Sequence, residues 1–344
     1  MTTVPTSLRV AQIVCSDAFA GVERYIVTLA SGLAADGCDV VVFGGDSRRM
    51  RAELQGIAES WHPARSVRDA VVSLLRAGRF DIVHAHMTAA ESAVLATRLV
   101  NHGRFFVTRH FAARRGASPG GRLIGAAIRH IVDRQLAISD FVAASIDGPS
   151  VVVRPGVPVD AEALPDGREP IVLVAQRLEA EKCTEVAIEA WALSGLAAQD
   201  WELQIAGSGA QELRLRSLAR SLGVASSCRF LGARDDLRQR FRRASILLAT
   251  RPDEPFGLAV VEAMAAALPV VAAAGGGHLE TVATCADARL FPPGDAQGAA
   301  HALVDLATDE EARCRYGARL RAVQRERLSD ERQVREVLDL YRAP

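Results

Sequence analysis

The stretch LRVAQIVC at residues 8–15 is followed by a helical pattern over residues 21–36 and by the apolar run VVVFG at residues 40–44. Within the middle segment, Ile26 and Leu33 fall on one face of the helix, whereas the flanking runs are short and nearly uncharged. A strand, a helix and a second strand in this order are typical of a parallel sheet, whose faces are covered by helices. The beginning of the chain therefore predicts a parallel α/β fold.

The alternation of strand and helix continues along the chain. Helices are predicted over residues 67–77, 91–100 and 124–133, and apolar strands at residues 82–85, 105–108 and 135–138. The alternation stops between residues 147 and 170, where five prolines and three glycines are typical of a linker. It resumes with strands at residues 171–175, 202–206, 228–231, 246–249 and 270–273, and with helices around residues 183–194, 210–222, 235–243 and 257–267.

We therefore expect two doubly wound α/β domains, comprising residues 1–158 and residues 159–328. At 344 residues the chain is long for a single hydrophobic core. In sheets of this kind a ligand lies at the carboxyl ends of the strands. Two such domains that face each other place a cleft between those ends, and we expect the functional site there.

The composition argues against several classes of protein. The net charge is zero, with 41 basic and 41 acidic residues, so there is no overall attraction to nucleic acid. The six cysteines are scattered without a C-x-x-C pair, which argues against a zinc ribbon or a disulfide framework and fits reduced cytosolic thiols. Neither a signal peptide nor an apolar run long enough to span a bilayer is evident. A cytoplasmic protein is expected, and peripheral membrane contact stays open.

One stretch of the chain is strongly basic. Between Arg98 and Arg134 there are eight arginines and a single acidic residue, Asp133. Three interpretations are open: a surface for anionic lipid, a pocket for a phosphorylated or acidic acceptor, and a plain solvated face. They concern Arg109, Arg114, Arg115, Arg122 and Arg129 together with Phe111, Leu123, Ile124 and Ile128.

The segment EPFGLAVVEAMA at residues 254–265 follows a predicted strand and opens a predicted helix. Pro255 suits the first turn of a helix, and Gly257 lets a ligand approach the backbone. Glu254 and Glu262 lie just over two helical turns apart, so they could meet different parts of one extended ligand. The alternative is an acidic first turn with a solvated Glu262. Three amides at this helix start would be free to bind anions or hydroxyl oxygens, those of Phe256, Gly257 and Leu258.

Lys182 is the only lysine in the chain, because the other 40 of the 41 basic residues are arginines. Such a strong bias indicates that the remaining lysine has a specific role, although chance is the alternative. An ammonium group is a compact point charge, whereas a guanidinium group is a planar fork. Lys182 is therefore a candidate for contact with a phosphate that is approached along one line.

These residues resemble those of glycosyltransferase family 4, whose members are retaining, metal-independent enzymes with the two-domain GT-B fold. The family's hallmark is an acid, seven residues and a second acid, which Glu254 and Glu262 match. Arg177 and Lys182, five residues apart, match the pair that holds the donor diphosphate. Other segments that fit the family pattern are residues 206–209, 230–232, 268–271 and 276–280, and in the first half residues 21–24, 81–86 and 108–110.

The resemblance implies a role for each candidate residue. Arg177 and Lys182 would neutralise the leaving diphosphate, and Glu254 would bind sugar hydroxyls. Glu262 would accept hydrogen bonds from the ribose, and His110 would approach the donor sugar from the first domain. Backbone groups that would hold the donor belong to Gly21, Gly207, Gly209, Phe256, Gly257 and Leu258. The last helix, residues 329–344 with Ser329 as its N-cap, would cross back to the first domain.

Some residues depart from the family pattern. Glycine is usual in the family at four positions, which here hold Ala20, Gln176, Cys183 and Ala267. Pro155 stands where the linker usually carries asparagine. Because these departures alter the shape of the donor loop, they bear on which donor is bound.

The expected function is the retaining transfer of a sugar from a UDP- or GDP-sugar to a hydroxyl group of a small-molecule, glycan or lipid-linked acceptor. A leaving phosphate oxygen could take the acceptor's proton, so no protein base is required. No metal or cofactor is expected, since the chain has no Asp-x-Asp and His84 and His86 have no third ligand nearby. The alternatives are another GT-B enzyme, such as a sugar-nucleotide epimerase or a phosphorylase, and a nucleotide-binding α/β protein without catalysis.

Overall fold

A computed structural model describes residues 7–57, 60–116, 119–160 and 167–343. The chain divides into two compact units. One unit extends to Gly156 and also includes the chain from Asp330 onward, and the other unit is Val157–Ser329. The first division falls two residues before the predicted boundary, and the second adjoins the predicted start of the last helix.

The first unit contains a seven-stranded sheet whose neighbouring strands are all parallel. Its strands are β1 (Arg9–Val14), β2 (Asp39–Phe43), β3 (Ser60–His62), β4 (Ile82–His86), β5 (Arg104–Arg109), β6 (Arg134–Ala137) and β7 (Val151–Val152). Its helices up to the linker are α1 (Gly21–Ala35), α2 (Ser47–Glu53), α3 (Val67–Ala77), α4 (Met87–Thr97), α5 (Pro119–Ile131) and α6 (Asp140–Ser145). The strand order β3-β2-β1-β4-β5-β6-β7 reverses direction between β1 and β4.

The second unit repeats this plan with a six-stranded parallel sheet. Its strands are β8 (Glu169–Ala175), β9 (Glu202–Ala206), β10 (Cys228–Gly232), β11 (Ala244–Ala249), β12 (Val270–Ala273) and β13 (Arg289–Phe291). Its helices are α7 (Thr184–Ser194), α8 (Glu212–Ser221), α9 (Leu237–Arg243), α10 (Leu258–Ala265), α11 (His278–Thr281), α12 (Ala296–Thr308) and α13 (Glu310–Arg327). Short 3-10 turns occupy Ala180–Lys182, Leu196–Gln199 and Val282–Thr284. The order β10-β9-β8-β11-β12-β13 reverses between β8 and β11.

The last helix, α14 (Asp330–Arg342), packs on the first unit. Gly32 in α1 makes this contact possible, because a Cβ at that position would lie 2.2 Å from a methyl carbon of Val334. On the same helix, the buried hydroxyl group of Tyr341 bonds to side chains of the central strands β1 and β4. The helix is thus joined to the first sheet by both packing and hydrogen bonds.

The hydrophobic core of each unit explains why the short apolar runs became strands. Four of the five residues of β2 and five of the six residues of β1 are buried, since helices cover both faces of the sheet. Phe43 and Phe105 are completely buried in the first core, as is Trp191 in the second unit. Among the described residues, no helix has both the length and the apolar character needed to cross a bilayer.

The fold prediction is confirmed: both units are doubly wound parallel sheets. Helix α3 and strands β9 and β12 have the predicted bounds, whereas the helix predicted over residues 91–100 begins at Met87 and ends at Thr97. The prediction omitted the edge strands β3, β7 and β13, which have two or three residues each. It also omitted the helices α2, α6, α11, α12 and α13.

Candidate active site

The two loops that follow β8 and β11 lie at the point where the strand order of the second sheet reverses, and they bring Lys182 and Glu254 together. The Nζ atom of Lys182 lies 2.7 Å from Oε2 of Glu254. Their side chains are 14% and 15% exposed, so water still reaches the pair. Residues 72 positions apart therefore meet where doubly wound sheets bind ligands.

The backbone of Lys182 is held by a cluster of neutral hydrogen bonds. The side-chain amide nitrogen (Nε2) of Gln176 lies within hydrogen-bonding distance of three oxygens. It donates to the carbonyl oxygen of Lys182 (3.1 Å) and to the hydroxyl oxygens of Thr184 (2.9 Å) and Thr250 (3.2 Å). The hydroxyl group of Thr250 also donates to the carbonyl of Lys182, at 2.8 Å. Gln176, which stands where the family usually has glycine, thus has a definite structural role here.

Two other departures from glycine retain the backbone conformation that glycine favours. Cys183, between Lys182 and α7, has φ +50°, and Ala267, just after α10, has φ +53°. For residues with a Cβ this left-handed conformation costs roughly 1–2 kcal/mol. At both positions the backbone therefore has a conformation that a glycine would adopt without this cost.

Arg177 is not part of the Lys182–Glu254 pair. Its guanidinium group is 59% exposed and lies 2.8 Å from a carboxylate oxygen of Glu181, as an i,i+4 pair. An exposed pair of this kind contributes little to stability, so Arg177 can readily exchange its partner.

The loop that carries Glu254 is packed backbone against backbone on three consecutive glycines. A Cβ at Gly275 would lie 1.9 Å from the carbonyl oxygen of Pro252, and one at Gly277 would lie 2.4 Å from Cα of Phe256. The amide of Gly277 donates to the carbonyl of Glu254 at 2.6 Å. The backbone therefore fixes the position of Glu254, while its carboxylate pairs with Lys182.

Gly257 caps the N-terminus of α10 with φ +93°, in the left-handed region. Within the described part of the chain, three backbone amides at this turn donate to no acceptor, namely those of Phe256, Gly257 and Leu258. Unpaired amides at a helix N-terminus favour anions and hydroxyl oxygens. Glu262 lies on the same helix and is partly buried.

His278 also belongs to this site, although no role was predicted for it. It is 1% exposed, and its ring lies against Gly257, where a Cβ would be 3.3 Å from the ring carbon Cδ2. Its Nδ1 lies 3.0 Å from the carbonyl oxygen of Ala273, so Nδ1 carries the proton and Nε2 is an acceptor. Burial lowers the pKa of His278, while the nearby carboxylate of Glu254 acts in the opposite direction.

Gly207 and Gly209 serve close packing. A Cβ at Gly207 would lie 1.8 Å from the carbonyl oxygen of Gln176, and one at Gly209 would lie 2.4 Å from that of Leu178. These glycines let the loop after β9 lie directly on the loop that carries Arg177. Their contact with a donor stays a prediction.

Gly21 differs from those glycines because nothing lies within 4 Å of the place where its Cβ would be. It is exposed at the first position of α1. The carboxylate of Glu23 accepts hydrogen bonds from the amide of Ala20 (2.8 Å) and the hydroxyl of Ser16 (2.6 Å), which fixes the turn before the helix. The fold does not need a glycine at position 21, which leaves room for the predicted contact with a ligand.

His110 follows β5 and is 7% exposed. Its Nε2 lies 3.0 Å from Nδ1 of His86, and its ring makes a T-shaped contact with the ring of Tyr25, with ring centroids 4.9 Å apart. His84 and His86 are completely buried, and their rings are stacked 4.5 Å apart. Burial lowers the pKa of His84 and of His110 to about 3. These imidazoles are therefore neutral at physiological pH.

For two residues of the basic stretch, the interpretations as a solvated face or a lipid-facing surface are wrong. Arg109 and Arg115 are 5% and 6% exposed. Arg115 lies 2.5 Å from a carboxylate oxygen of Glu91 and 3.0 Å from one of Asp147, and Arg109 lies 3.2 Å from Asp147. Burial alone would raise the pKa of Asp147, but the bonds from Arg115 hold it well below its usual range. These two arginines neutralise the buried carboxylate of Glu91 and the partly buried carboxylate of Asp147.

The remaining part of this stretch does face solvent. Arg114 and Arg122 are exposed, and the apolar side chains beside them are exposed by 45% (Phe111), 76% (Leu123) and 46% (Ile124). Ile128, on the other face of α5, is completely buried in the core.

Two family models match this chain. The description "Glycosyltransferase Family 4" applies to residues 19–161, and "Glycosyl transferases group 1" applies to residues 159–323. Together the two matches run through both units. The chain therefore belongs to the group 1 glycosyltransferases of family 4, as the resemblance in its motifs indicated.

Individual relatives agree with this assignment. The chain is 28% identical to 2-deoxystreptamine N-acetyl-D-glucosaminyltransferase of Streptomyces fradiae, over 85% of this chain and 79% of that protein. It is 33% identical to an exopolysaccharide phosphotransferase of Streptomyces coelicolor, but over only 45% of this chain and 17% of that protein.

A solved structure of Anabaena HepE in complex with UDP and glucose superimposes with a TM-score of 0.82 at 18% identity, covering 98% of this chain and 100% of that chain. A glycosyltransferase from Rickettsia africae gives a TM-score of 0.80 at 19% identity, covering 97% and 98% of the two chains. At these identities the likeness shows the fold, which is GT-B.

Proposed function

We propose that this protein is a retaining, metal-independent glycosyltransferase that moves a sugar, of hexosyl type, from a UDP- or GDP-sugar to a hydroxyl group of an acceptor. The observation that carries the proposal is the Lys182–Glu254 pair, which lies at the point of strand reversal and at the start of α10. The complex of Anabaena HepE with UDP and glucose supports a nucleoside-diphosphate sugar as the donor. The second unit would bind this donor, and the first unit would bind the acceptor.

In the proposed complex, the donor diphosphate takes the place of Glu254 as the partner of Lys182. A diphosphate carries more negative charge than one carboxylate, so it is the stronger partner for a single ammonium group. Arg177 would leave its exposed contact with Glu181 and bind the same diphosphate. Glu254 is then free to accept hydrogen bonds from sugar hydroxyls, while Glu262 accepts them from the ribose.

The free amides at the start of α10 would complete the donor site. Phe256, Gly257 and Leu258 present these amides where the partial positive charge of the helix N-terminus is greatest. His278 holds an acceptor nitrogen next to Gly257, so a hydroxyl group of the donor could donate to it. Gly207 and Gly209 would act by keeping the Arg177 loop in position.

In the proposed reaction, the bond between C1 of the sugar and the phosphate oxygen breaks, and both electrons leave with the nucleoside diphosphate. Lys182 and Arg177 stabilise this developing charge. The acceptor oxygen forms its bond to C1 from the face that the phosphate leaves, and its proton passes to a phosphate oxygen. The configuration at C1 is retained. Since His110 is neutral and buried, it would orient the sugar by hydrogen bonding.

The exposed part of α5 bears on which kind of acceptor the protein would use and on where it would find it. Leu123 and Ile124 lie beside Arg122 on this helix, an arrangement that suits contact with an anionic membrane surface. A lipid-linked acceptor would then be reached at the membrane, whereas a small molecule or a glycan would need no such contact. Co-sedimentation with vesicles containing anionic lipid should be lost in a Leu123→Ser, Ile124→Ser double variant if the membrane contact exists.

A thermal-shift screen of UDP- and GDP-sugars tests the donor assignment. A ligand at 100 times its dissociation constant should stabilise the protein by about 2.7 kcal/mol. The sugar nucleotide that raises the melting temperature most is then offered with a panel of acceptors, and the anomeric configuration of the product is determined by NMR. If no nucleotide sugar shifts the melting temperature, the proposal is wrong.

The same experiment separates the alternatives. A sugar-nucleotide epimerase would convert the donor without an acceptor, and a phosphorylase would require inorganic phosphate. A protein that only binds nucleotides would show a thermal shift with no turnover against any acceptor. Activity that survives treatment with EDTA would support metal-independent transfer, and loss of activity restored by Mg²⁺ or Mn²⁺ would contradict it.

A further inference from the structure

A chain of buried hydrogen bonds connects the last helix to His110. The hydroxyl oxygen of Tyr341 lies 3.1 Å from the amide nitrogen of Gln12, whose carbonyl oxygen lies 2.8 Å from Nε2 of His86. Nδ1 of His86 lies 3.0 Å from Nε2 of His110. Tyr341 also lies 2.5 Å from Nδ1 of His84. All five side chains are at least nine-tenths buried, so water cannot substitute for these partners.

This series of hydrogen bonds has two self-consistent arrangements of its protons, and the bond lengths favour one of them. A hydroxyl donor makes bonds of about 2.5–3.0 Å, whereas an N–H donor makes bonds of about 2.7–3.2 Å. The 2.5 Å contact fits Tyr341 donating its proton to His84, and the 3.1 Å contact fits the Gln12 amide donating to Tyr341. In the reverse arrangement Tyr341 would donate to Gln12, which would require the opposite pattern of lengths.

The orientation of the Gln12 side chain then determines the tautomers of His86 and His110. Its carbonyl oxygen can only accept, so Nε2 of His86 must carry a proton and donate it. A neutral imidazole has one N–H, so Nδ1 of His86 is an acceptor. Nε2 of His110 must therefore be the donor in the bond between the two rings. Nδ1 of His110 is left without a proton.

We propose that Tyr341, Gln12 and His86 are positioning residues that fix His110 as the tautomer with a proton on Nε2 and an acceptor at Nδ1. This rests on the proposed function, in which His110 approaches the donor sugar. His110 then accepts a hydrogen bond from a sugar hydroxyl and cannot donate one. The C-terminal helix contributes to the sugar site through Tyr341, although Tyr341 itself does not touch the sugar.

The surroundings keep the arrangement neutral. The ring of Tyr25 makes T-shaped contacts with both His86 and His110 and brings no charge to them. Because Nδ1 of His84 accepts the proton of Tyr341, Nε2 of that ring carries a proton and donates it to the hydroxyl oxygen of Thr108 at 2.7 Å. Burial lowers the pKa of His86 well below its usual value and that of His110 to about 3. These hydrogen bonds therefore control which nitrogen of each imidazole carries the proton, and they do not control its charge.

Two variants and a matched control test the proposal. Tyr341→Phe keeps the ring that packs on Phe106 and removes only the hydroxyl group. His86→Leu removes the acceptor that faces His110. Tyr316→Phe is the control, because Tyr316 is also buried and donates its hydroxyl proton to a carbonyl, that of Val270, but it lies in the second unit.

The tautomers are read by long-range ¹H–¹⁵N correlation of the imidazole nitrogens at pH 7, with His110→Gln used for assignment. We expect a protonated Nε2 and an unprotonated Nδ1 for His84, His86 and His110 in the unaltered protein. Tyr341→Phe should give a mixture of tautomers at His86 and His110. Its kcat for transfer should fall about tenfold with a smaller change in KM, the loss expected for one hydrogen bond to the substrate. Tyr316→Phe should change neither.

A protonated Nδ1 on His110 in the unaltered protein would overturn the proposal. The proposal also fails if Tyr341→Phe leaves both the tautomers and kcat like those of Tyr316→Phe. Should Tyr341→Phe not fold, His86→Leu provides the same readouts at His110. A separate outcome is that the tautomers are as assigned and respond to Tyr341→Phe but no nucleotide sugar is turned over. In that case the roles of Tyr341, Gln12 and His86 as positioning residues are confirmed and the proposed function is wrong.

Discussion

The two sheets hold opposite kinds of polar groups where their strand orders reverse. At the second sheet, Lys182 and Glu254 form an ion pair that is partly exposed and rests on a firmly packed backbone. At the first sheet, Gln12, His84 and His86 are neutral, completely buried and joined to each other and to Tyr341. We infer from this difference that the second site would exchange ionic partners with a ligand, whereas the first site would hold one fixed pattern of donors and acceptors.

The largest expected effect is at the ion pair. Lys182→Arg should lower kcat/KM about 100-fold, because a planar fork cannot replace a point charge in a loop held by Gln176 and Thr250. Steady-state kinetics with the best nucleotide sugar measures this. Arg177→Lys, at an exposed position, is the control and should cost less than about tenfold. An unimpaired Lys182→Arg protein would show that its solitary lysine is a coincidence.

Acid should weaken the first sheet more than the second. The pKa values of His84 and His110 are lowered to about 3, so below pH 6.5 the unfolded state binds more protons than the folded state. Their contribution to stability is complete above pH 6.5 and is lost as the pH falls toward 3. At pH 5 the loss should be about 2 kcal/mol for each histidine.

Hydrogen exchange at pH 7 and pH 5, compared at equal intrinsic rates for the peptides of each unit, measures this difference. The second unit contains one buried histidine of this kind, His278, and serves as the internal reference. Equal loss of protection in both units would contradict the contrast between the two sheets.

Glycines at the two sites should respond in opposite ways to the same substitution. Gly207→Ala should lower the free energy of unfolding by about 1–3 kcal/mol, because its Cβ would lie 1.8 Å from the carbonyl oxygen of Gln176. Gly21→Ala should leave stability unchanged or slightly higher, since there is space for a Cβ and alanine favours a helix. Urea denaturation measures both.

Transfer activity completes this comparison. If ligand contact is the reason for Gly21, Gly21→Ala should reduce activity despite its intact stability. Full activity in this variant would remove Gly21 from the site.

The smallest effect concerns a departure from the family pattern. Ala267→Gly should raise the free energy of unfolding by about 0.5 kcal/mol, because relief of a left-handed alanine slightly exceeds the entropy cost of glycine. Ala266→Gly is the matched control, since φ at Ala266 is −81°, and it should destabilise. A lower melting temperature for Ala267→Gly than for Ala266→Gly would contradict this account.

The sequence was most informative where local chemistry determines structure. The apolar runs at β9 and β12 and the helix α3 had enough periodic residues to be located correctly. Strand β13 has only three residues and is specified by its pairing with β12 rather than by its own composition. The long helix α13 was missed because arginine and glutamate dominate it and no clear apolar stripe marks its buried face.

The site was predictable in part for a similar reason. Lys182 and Glu254 stood out in the sequence, one by its rarity and the other by its motif, but their mutual contact joins residues 72 apart. The bond between His84 and Tyr341 joins residues 257 apart, and no local pattern could indicate it. No role was predicted for His278, although a histidine directly after three consecutive glycines is a detectable signal.

The central claim is that the donor diphosphate displaces Glu254 from Lys182. Isothermal calorimetry of UDP or GDP, whichever stabilises more, with the unaltered protein and Glu254→Gln tests it directly. We predict that Glu254→Gln binds the nucleoside diphosphate at least as tightly as the unaltered protein, because the competing carboxylate is neutralised, while sugar transfer is impaired. Weaker binding of the nucleoside diphosphate by Glu254→Gln would contradict the claim.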